Sequence, residues 1–203
     1  MTVQKSVAVN NARLDANETA VGTAPKLRFY SGAQPANCAA ARTGTLLAEL
    51  TLPSDWMNAA SSGTKTKLGT WSGTGAAGAG GGTVIGHYAL MDSAGSTCHE
   101  QGSVGANVAL TTNALTAANG NVLNFASTTG VVVGMNAAGT GIPAGATVVA
   151  LTGTTVTLSN TSTAGVANAA AITFSYDLAV DNANIATGQA ISVSSFQWTA
   201  GNA

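Results

Sequence analysis

The chain of 203 residues is long enough to bury a core without disulfides or metal ions, and only 7% of it is charged, where an ordinary soluble domain carries about 25%. Seven basic and eight acidic residues give a formal net charge of −1 with no basic patch, so nucleic-acid binding is not expected. No segment approaches the roughly 18 apolar residues of a membrane span, and residues 1–15 lack the apolar centre of a secretory signal, so neither a membrane protein nor an exported one is expected.

Residues 3–19 are predicted to form the one helix of the chain. Gly22 and Pro25 follow this segment and disfavour its continuation, because glycine favours a helix end and proline restricts the residue before it. The apolar stripe at helical spacing is thin, so we expect the helix to pack on a neighbour rather than to stand alone. The stripe consists of Val3, Val7, Leu14 and Val21.

After the helix, the sequence has the pattern of short β-strands separated by turn residues. Residues 93–96 (SAGS) are predicted to join two of these strands as a hairpin. Residues 73–82 (GTGAAGAGGG) are predicted to form a flexible loop, because no side chain there is large enough to anchor it. The strands of this part are predicted at residues 26–30, 46–52, 64–71, 83–92 and 97–104.

A long stretch, residues 101–176, contains no charged residue at all. Its valine and leucine residues alternate as they do in strands, which argues against disorder. We interpret residues 113–174 as a small β-unit inserted into the main sheet, with a tight turn at Thr152 and Gly153. Its strands are predicted at residues 122–125, 131–135, 146–151, 155–158 and 171–174.

The main sheet is predicted to resume at residues 175–180 and 190–199, where a slip in the apolar phase between Val193 and Phe196 indicates a β-bulge. The strands together predict an all-β fold: a β-sandwich, jelly-roll-like or barrel domain with a short N-terminal helix and a small inserted β-domain. The main domain is expected to comprise residues 1–112 plus 175–203, and the inserted module residues 113–174.

One group of residues is a candidate metal site, because the predicted hairpin brings His87 and Asp92 near Cys98, His99 and Glu100. Zinc takes four protein ligands, or three with water, and adjacent residues of a strand point to opposite faces. Cys98 and His99 therefore do not face one ion, and neither a metal nor another cofactor is predicted. Cys38 and Cys98 are too few for a disulfide scaffold; we expect two reduced thiols, with a disulfide after release from the cell as the alternative.

The sequence contains no catalytic motif, and the chain is predicted not to be an enzyme. There is no G-x-S-x-G sequence, and the glycine run at residues 78–82 lacks the lysine and helix of a phosphate-binding loop. The carboxylates that glycoside hydrolysis needs in pairs are present, for example Glu49, Asp55 and Asp92. The tryptophans lie in different segments, which favours core or interface anchors over a platform for sugar stacking; they are Trp56, Trp71 and Trp198.

Three stretches of the chain resemble small structural proteins of tailed bacteriophages. They are QKSVAVNNARLDANETAVGTAPKLRFYSGAQPANCAAARTGTLLAELTLPSDW, HYALMDSAGSTCHEQGSVG and DLAVDNANIATGQAISVSSFQWTAGNA, and the resemblance covers residues 3–112 and 175–203. The insertion resembles a β-module common in phage surface proteins through its segment VVVGMNAAGTGIPAGATVVALTGTTVTLS. The chain is similar to the capsid decoration, or cement, proteins of these phages, with a tail or neck protein as the alternative within the virion.

This resemblance implies a β-rich virion protein, assembled in the host cytoplasm, that lies outside the major capsid lattice and stabilises the head by bridging capsomers. Its partners would be copies of itself, as a homotrimer, and the phage major capsid protein. The N-terminal helix would dock on the lattice or on a neighbouring subunit, and the insertion would point outward. The candidate interface residues are Val3, Val7, Leu14, Trp56, Trp71 and Trp198.

Two further functions are open on the sequence alone. A glycan- or receptor-binding module of a phage fibre, tail or neck would suit an uncharged insertion rich in threonine and asparagine. A hydrolase of cell-surface polysaccharide would need two carboxylates with perturbed pKa values in one groove.

Overall fold

The computed structural model describes residues 5–143, 145–162 and 164–200. Within them, one α-helix, α1 (Val7–Val21), precedes a succession of short strands, which confirms the predicted all-β fold with an N-terminal helix. In chain order the strands are β1 (Lys26–Tyr30), β2 (Leu46–Thr51), β3 (Thr64–Thr66), β4 (Ser72–Thr74), β5 (Thr83–Val84), β6 (His87–Met91), β7 (Cys98–Gly102), β8 (Val104–Gly105), β9 (Val108–Thr111), β10 (Val122–Asn124), β11 (Asn136–Gly139), β12 (Val148–Leu151), β13 (Thr155–Leu158), β14 (Ala171–Ser175), β15 (Leu178–Val180), β16 (Asn184–Ile185) and β17 (Ala190–Thr199).

Backbone contacts divide the chain into two compact units. The main unit runs up to Gly105 and from Leu178 onward, and the inserted unit is Ala106–Asp177. The insertion is therefore wider than residues 113–174, the interval predicted from the sequence. The reason is that β9, which precedes the predicted boundary, pairs with β14 of the inserted unit.

The helix α1 begins at a serine cap and ends at a glycine. The Ser6 hydroxyl accepts a hydrogen bond from the Val9 amide at 3.3 Å, and the Gly22 amide donates to the Glu18 carbonyl at 2.9 Å. Gly22 has a φ of +89°, a conformation that favours glycine, so the helix ends at the residue the sequence indicates. Among the described residues, no helix has the length and apolar content that crossing a membrane requires.

A four-stranded antiparallel sheet of order β2-β1-β6-β7 forms one layer of the main unit. It contains the hairpin predicted from the sequence, in which Leu90 pairs with Glu100. The Asp92 carboxylate accepts hydrogen bonds from the Ser96 amide at 2.7 Å and from the Ser96 hydroxyl at 2.8 Å, and these bonds stabilise the hairpin turn.

The long strand β17 organises the second sheet of the main unit. It pairs with β3, β4 and β15, and β15 pairs in parallel with the two-residue β8. Its register against β15 shifts between the pairs Ala179–Ser195 and Val180–Val193, so the bulge predicted in this strand is confirmed.

The main unit also has a two-stranded sheet, β16-β5. Its two larger sheets pack their apolar faces together in a sandwich-like arrangement. One buried cluster combines side chains of the first sheet, such as Phe29 and Leu90, with side chains of the second, such as Val193 and Phe196. Burial alternates along β1 and along the first half of β17, as expected for strands with one face toward a core.

The inserted unit has two three-stranded sheets, β10-β13-β12 and β11-β14-β9, and a core of its own. The rings of Phe125 and Phe174 meet edge to face at 5.7 Å, and Met135 is fully buried in the same cluster. The tight turn predicted between β12 and β13 is confirmed, because the Thr152 amide donates to the Thr155 carbonyl at 2.9 Å.

Four local predictions are wrong. The single strand predicted at residues 83–92 is divided into β5, which pairs with β16, and β6, which pairs with β1. Residues 131–135 form a turn rather than a strand, and the predicted strand at residues 64–71 is limited to β3. The predicted flexible loop at residues 73–82 instead includes part of β4 and a 3₁₀ turn, Ala77–Ala79. Glycine lets the backbone pack closely there, since a Cβ atom at Gly78 would lie 2.6 Å from the Leu46 carbonyl oxygen.

Candidate functional site

The inserted unit exposes a group of valine side chains. Val132, Val133 and Val149 are 42%, 60% and 49% exposed, and we call these three residues the valine surface. The Gly134 amide donates to the Val148 carbonyl at 2.9 Å, so the turn that carries Val132 and Val133 lies beside β12, which carries Val149.

The scarcity of charged residues in the inserted unit lowers the free energy needed to cover the valine surface with another protein. Residues 101–176 include no Lys, Arg, Asp or Glu, and their polar side chains are those of threonine, asparagine, serine, glutamine and tyrosine. Desolvating such groups costs far less than desolvating an ion, and the centres of protein interfaces are depleted in charged residues. Single exposed valines are ordinary, but valines in an uncharged surround are suited to a protein contact.

Two ion pairs hold α1 on its own unit. The Lys65 side chain is 3% exposed, and its Nζ lies 2.5 Å from Asp15 Oδ1 and 2.8 Å from Glu18 Oε2. Burial alone would lower the pKa of Lys65, but the hydrogen bonds to the two carboxylates outweigh burial and raise that pKa. The helix is therefore fixed to the main unit of the same chain.

The predicted interface residues of α1 differ in exposure. Leu14 is buried within the chain, whereas Val7 is 54% exposed and Val9, which was not predicted, is 47% exposed. Val3 lies outside the described residues. Within the described part of the helix, Val7 is thus the exposed residue of the predicted apolar stripe, and it can contact a partner.

A shallow pocket of about 430 Å³ beside these ion pairs is lined by Asp15 and Asp55, among others. A polysaccharide hydrolase needs a carboxyl group whose pKa is raised, so that it can donate a proton. The hydrogen bond from Lys65 instead lowers the pKa of Asp15, and the hydrogen bonds from Ser96 lower the pKa of Asp92. These two carboxyls are stabilised in the ionised form, which is not the form of a general acid.

The three tryptophans meet in the main unit although they are far apart in the sequence. The ring centroid of Trp56 lies 5.8 Å from that of Trp71 and 5.3 Å from that of Trp198. Trp56 and Trp71 are buried, Trp198 is partly buried against the same cluster, and each indole N–H has an acceptor within the unit. Trp56 and Trp71 are thus core residues of the chain, and offer no ring face to a sugar or to a partner.

The role of Glu100 was not predicted from the sequence. Its carboxylate accepts hydrogen bonds from the Tyr88 hydroxyl and, at 2.5 Å, from Trp198 Nε1, which joins the hairpin to β17. Trp198 is 98 residues away from Glu100, and Asp15 is 50 residues away from Lys65, so no local spacing indicates these partners. The one relevant signal is the scarcity of charge, which makes each charged residue a candidate for a structural pair.

The histidines and cysteines lie in contrasting surroundings. His87 is buried and stacks on Tyr30 at 5.3 Å between ring centroids, whereas His99 is exposed. Within the ranges the structure describes, no three His, Cys, Asp or Glu side chains are grouped so that they could hold a metal ion. The thiols of Cys38 and Cys98, by contrast, are neighbours, with their sulfur atoms 2.9 Å apart.

Comparison with known proteins found no relative: no protein-family model, no curated protein and no solved structure matches the chain.

Proposed function

We propose that this chain is a structural virion protein of a tailed bacteriophage, a capsid decoration protein that stabilises the head by bridging capsomers as a homotrimer. The proposal rests on the resemblance of the sequence to such proteins and on two properties of the inserted unit, its scarcity of charge and its exposed valines. A protein present in many copies stabilises a shell through area and repeated weak contacts, and it needs no strong single site.

The observation that carries the proposal is the valine surface on a unit whose one charged residue is Asp177 at its C-terminal end. Uncharged surfaces lack the repulsion and the hydration that keep ordinary soluble domains apart. Bringing Val132, Val133 and Val149 of three copies together around a three-fold axis would bury apolar area at little desolvation cost. The exposed Val7 of α1 provides a second apolar contact, which we assign to the capsid lattice.

A glycan- or receptor-binding module is the competing function. The sequence offers two bases for it, exposed tryptophans or the insertion rich in threonine and asparagine, and Trp56 and Trp71 are buried in the core. The inserted unit would then have to bind glycans through its threonine and asparagine side chains alone.

The test replaces the inserted unit in the phage that encodes the chain. Val104 pairs with Leu178 and Gly105 with Ala179, so the two ends of the insertion lie on adjacent strands and a linker of about six residues connects them. Phage without the chain should release DNA at a lower temperature than wild type. The full chain should restore heat resistance, and a chain lacking Ala106–Asp177 should not.

Circular dichroism of the shortened chain provides the folding control, because it should retain the strand signal of the main unit. Equal heat resistance of heads with and without the chain would refute the decoration function. If the shortened chain restores heat resistance and only adsorption to the host is lost, the inserted unit is a receptor-binding module.

A further inference from the structure

The segment at residues 31–45 connects β1 to β2 and is held against β7 by polar contacts. The Arg42 guanidinium donates to Gln101 Oε1 at 2.5 Å and to the Cys38 carbonyl at 2.9 Å. The Gln101 amide group donates in turn to the Pro35 carbonyl at 2.6 Å. These bonds position the backbone of Cys38 beside β7 while both cysteines are reduced.

The two thiols lie at the point where this segment meets the sheet. Cys38 Sγ lies 2.9 Å from Cys98 Sγ, although the two residues are 60 positions apart in the sequence. A disulfide bond is about 2.04 Å long, so a movement of roughly 1 Å would join the sulfur atoms. Both side chains are half-buried, and the chain contains no other cysteine to compete.

We propose that Cys38 and Cys98 form an intrachain disulfide on exposure to a small-molecule disulfide such as oxidised glutathione, and that the bond fastens residues 31–45 to β7. The Cys38 thiolate attacks the glutathione disulfide, forms a mixed disulfide and releases one glutathione thiolate. Cys98 then gives its proton to solvent, its thiolate attacks the Cys38 sulfur, and the second glutathione thiolate leaves. The two released glutathione thiolates take up from solvent the two protons that the cysteine thiols lost. Two protein thiols are oxidised, and one glutathione disulfide is reduced to two glutathione molecules.

The surroundings of Cys98 set the order of these steps. Burial, together with the neighbouring Cys38 sulfur, raises the pKa of Cys98 to about 12, so Cys98 is a thiol in the reduced chain and does not start the exchange. Arg42 Nη1 lies 3.5 Å from Cys98 Sγ, where its charge favours the thiolate formed in the second step. This chemistry needs only the single chain and is independent of the function proposed above.

The experiment incubates the purified full chain with oxidised glutathione and measures its intact mass and melting temperature. We expect a mass lower by about 2 Da, the mass of two hydrogen atoms. We also expect a melting temperature higher by roughly 5–15 °C, because the bond closes a loop of about 60 residues in the unfolded chain. Dithiothreitol should reverse both changes.

Trypsin locates the bond, because the chain has no lysine or arginine after Lys67. Without a reductant, residues 29–42 should remain attached to residues 68–203. The variants Cys38→Ser and Cys98→Ser should show neither the crosslink nor the rise in melting temperature. The double variant should melt at the temperature of the reduced wild type, which shows that the substitutions leave the fold intact.

Three results would overturn the pairing: two thiols that still alkylate fully after the incubation, a stable mass gain of about 305 Da from one bound glutathione, or a disulfide between two chains. A crosslink within the chain that leaves the melting temperature unchanged would refute the predicted stabilisation by the bond.

Discussion

His87 is a buried imidazole in a setting that disfavours its charge. Its Nδ1 lies 3.4 Å from the Gly32 carbonyl, and its Nε2 has no hydrogen-bond partner among the described residues. Burial lowers the pKa of His87, the Gly32 carbonyl opposes this effect, and the charge of Arg42 adds to it. The unfolded chain therefore binds a proton at His87 more readily than the folded chain does. The neutral His87 contributes to the stability of the fold above about pH 6.5, and this contribution is lost as the pH falls.

The substitution His87→Phe tests this linkage. Phenylalanine retains the stacking on Tyr30 and removes the titratable nitrogen atoms. The melting temperature of the variant, minus that of the wild type, should increase as the pH falls from about 7.5 to about 5, since only the wild type takes up the destabilising proton on unfolding. The carboxylates and His99 are common to both proteins and cancel in the difference. A difference that stays constant over this pH range would contradict the account.

Phe174 supports the core of the inserted unit. It is fully buried against Phe125, so Phe174→Ala should lower the free energy of unfolding by about 3–5 kcal/mol in urea denaturation. The matched control is Leu115→Ala, because Leu115 is 69% exposed in the same unit and its loss should cost less than about 0.5 kcal/mol. Equal losses of unfolding free energy in the two variants would mean that Phe174 does not support a buried core.

At the scale of elements, α1 depends on a single lysine of β3. Lys65→Met leaves Asp15 and Glu18 without their shared partner, so the melting temperature should fall by roughly 2–4 °C or more, and hydrogen exchange in α1 should become faster. Lys5→Met removes an exposed lysine just before the same helix and is the control. If both variants exchange at the wild-type rate in α1, the buried ion pairs do not hold the helix.

The sequence predicts best those elements that are determined by residues close together in the chain. The strand at residues 190–199 and its bulge follow from an apolar alternation and its slip, and the end of α1 follows from Gly22. The turn at residues 131–135 was missed because its three valines have the composition of a strand, while Gly130 and Gly134 adopt positive φ angles that a strand excludes.

The candidate site was only partly predictable, for a physical reason. The absence of charge in residues 101–176 is visible in the sequence, but which valines remain exposed depends on packing between distant strands. The same holds for the tryptophans, whose meeting in one cluster follows from the tertiary fold. Trp56 and Trp71 were predicted as interface residues, and their burial in the core shows that this prediction is wrong for these two.

At the scale of the whole molecule, the account predicts that charge placed on the valine surface prevents association without unfolding the chain. Val149→Lys adds an ion that would have to be desolvated in the contact between copies. Val84→Lys is the control, because Val84 is 64% exposed on the main unit. In sedimentation velocity experiments, the Val149→Lys variant should dissociate to monomers at concentrations where the control remains associated, with unchanged circular dichroism for both.

The proposal that the chain is a homotrimer is tested by the molar mass of the unmodified chain, measured by light scattering over a range of concentrations. A homotrimer of 19.8-kDa chains should give about 59 kDa. A mass of 19.8 kDa at every concentration, together with no attachment of the chain to a phage head or tail, would contradict it.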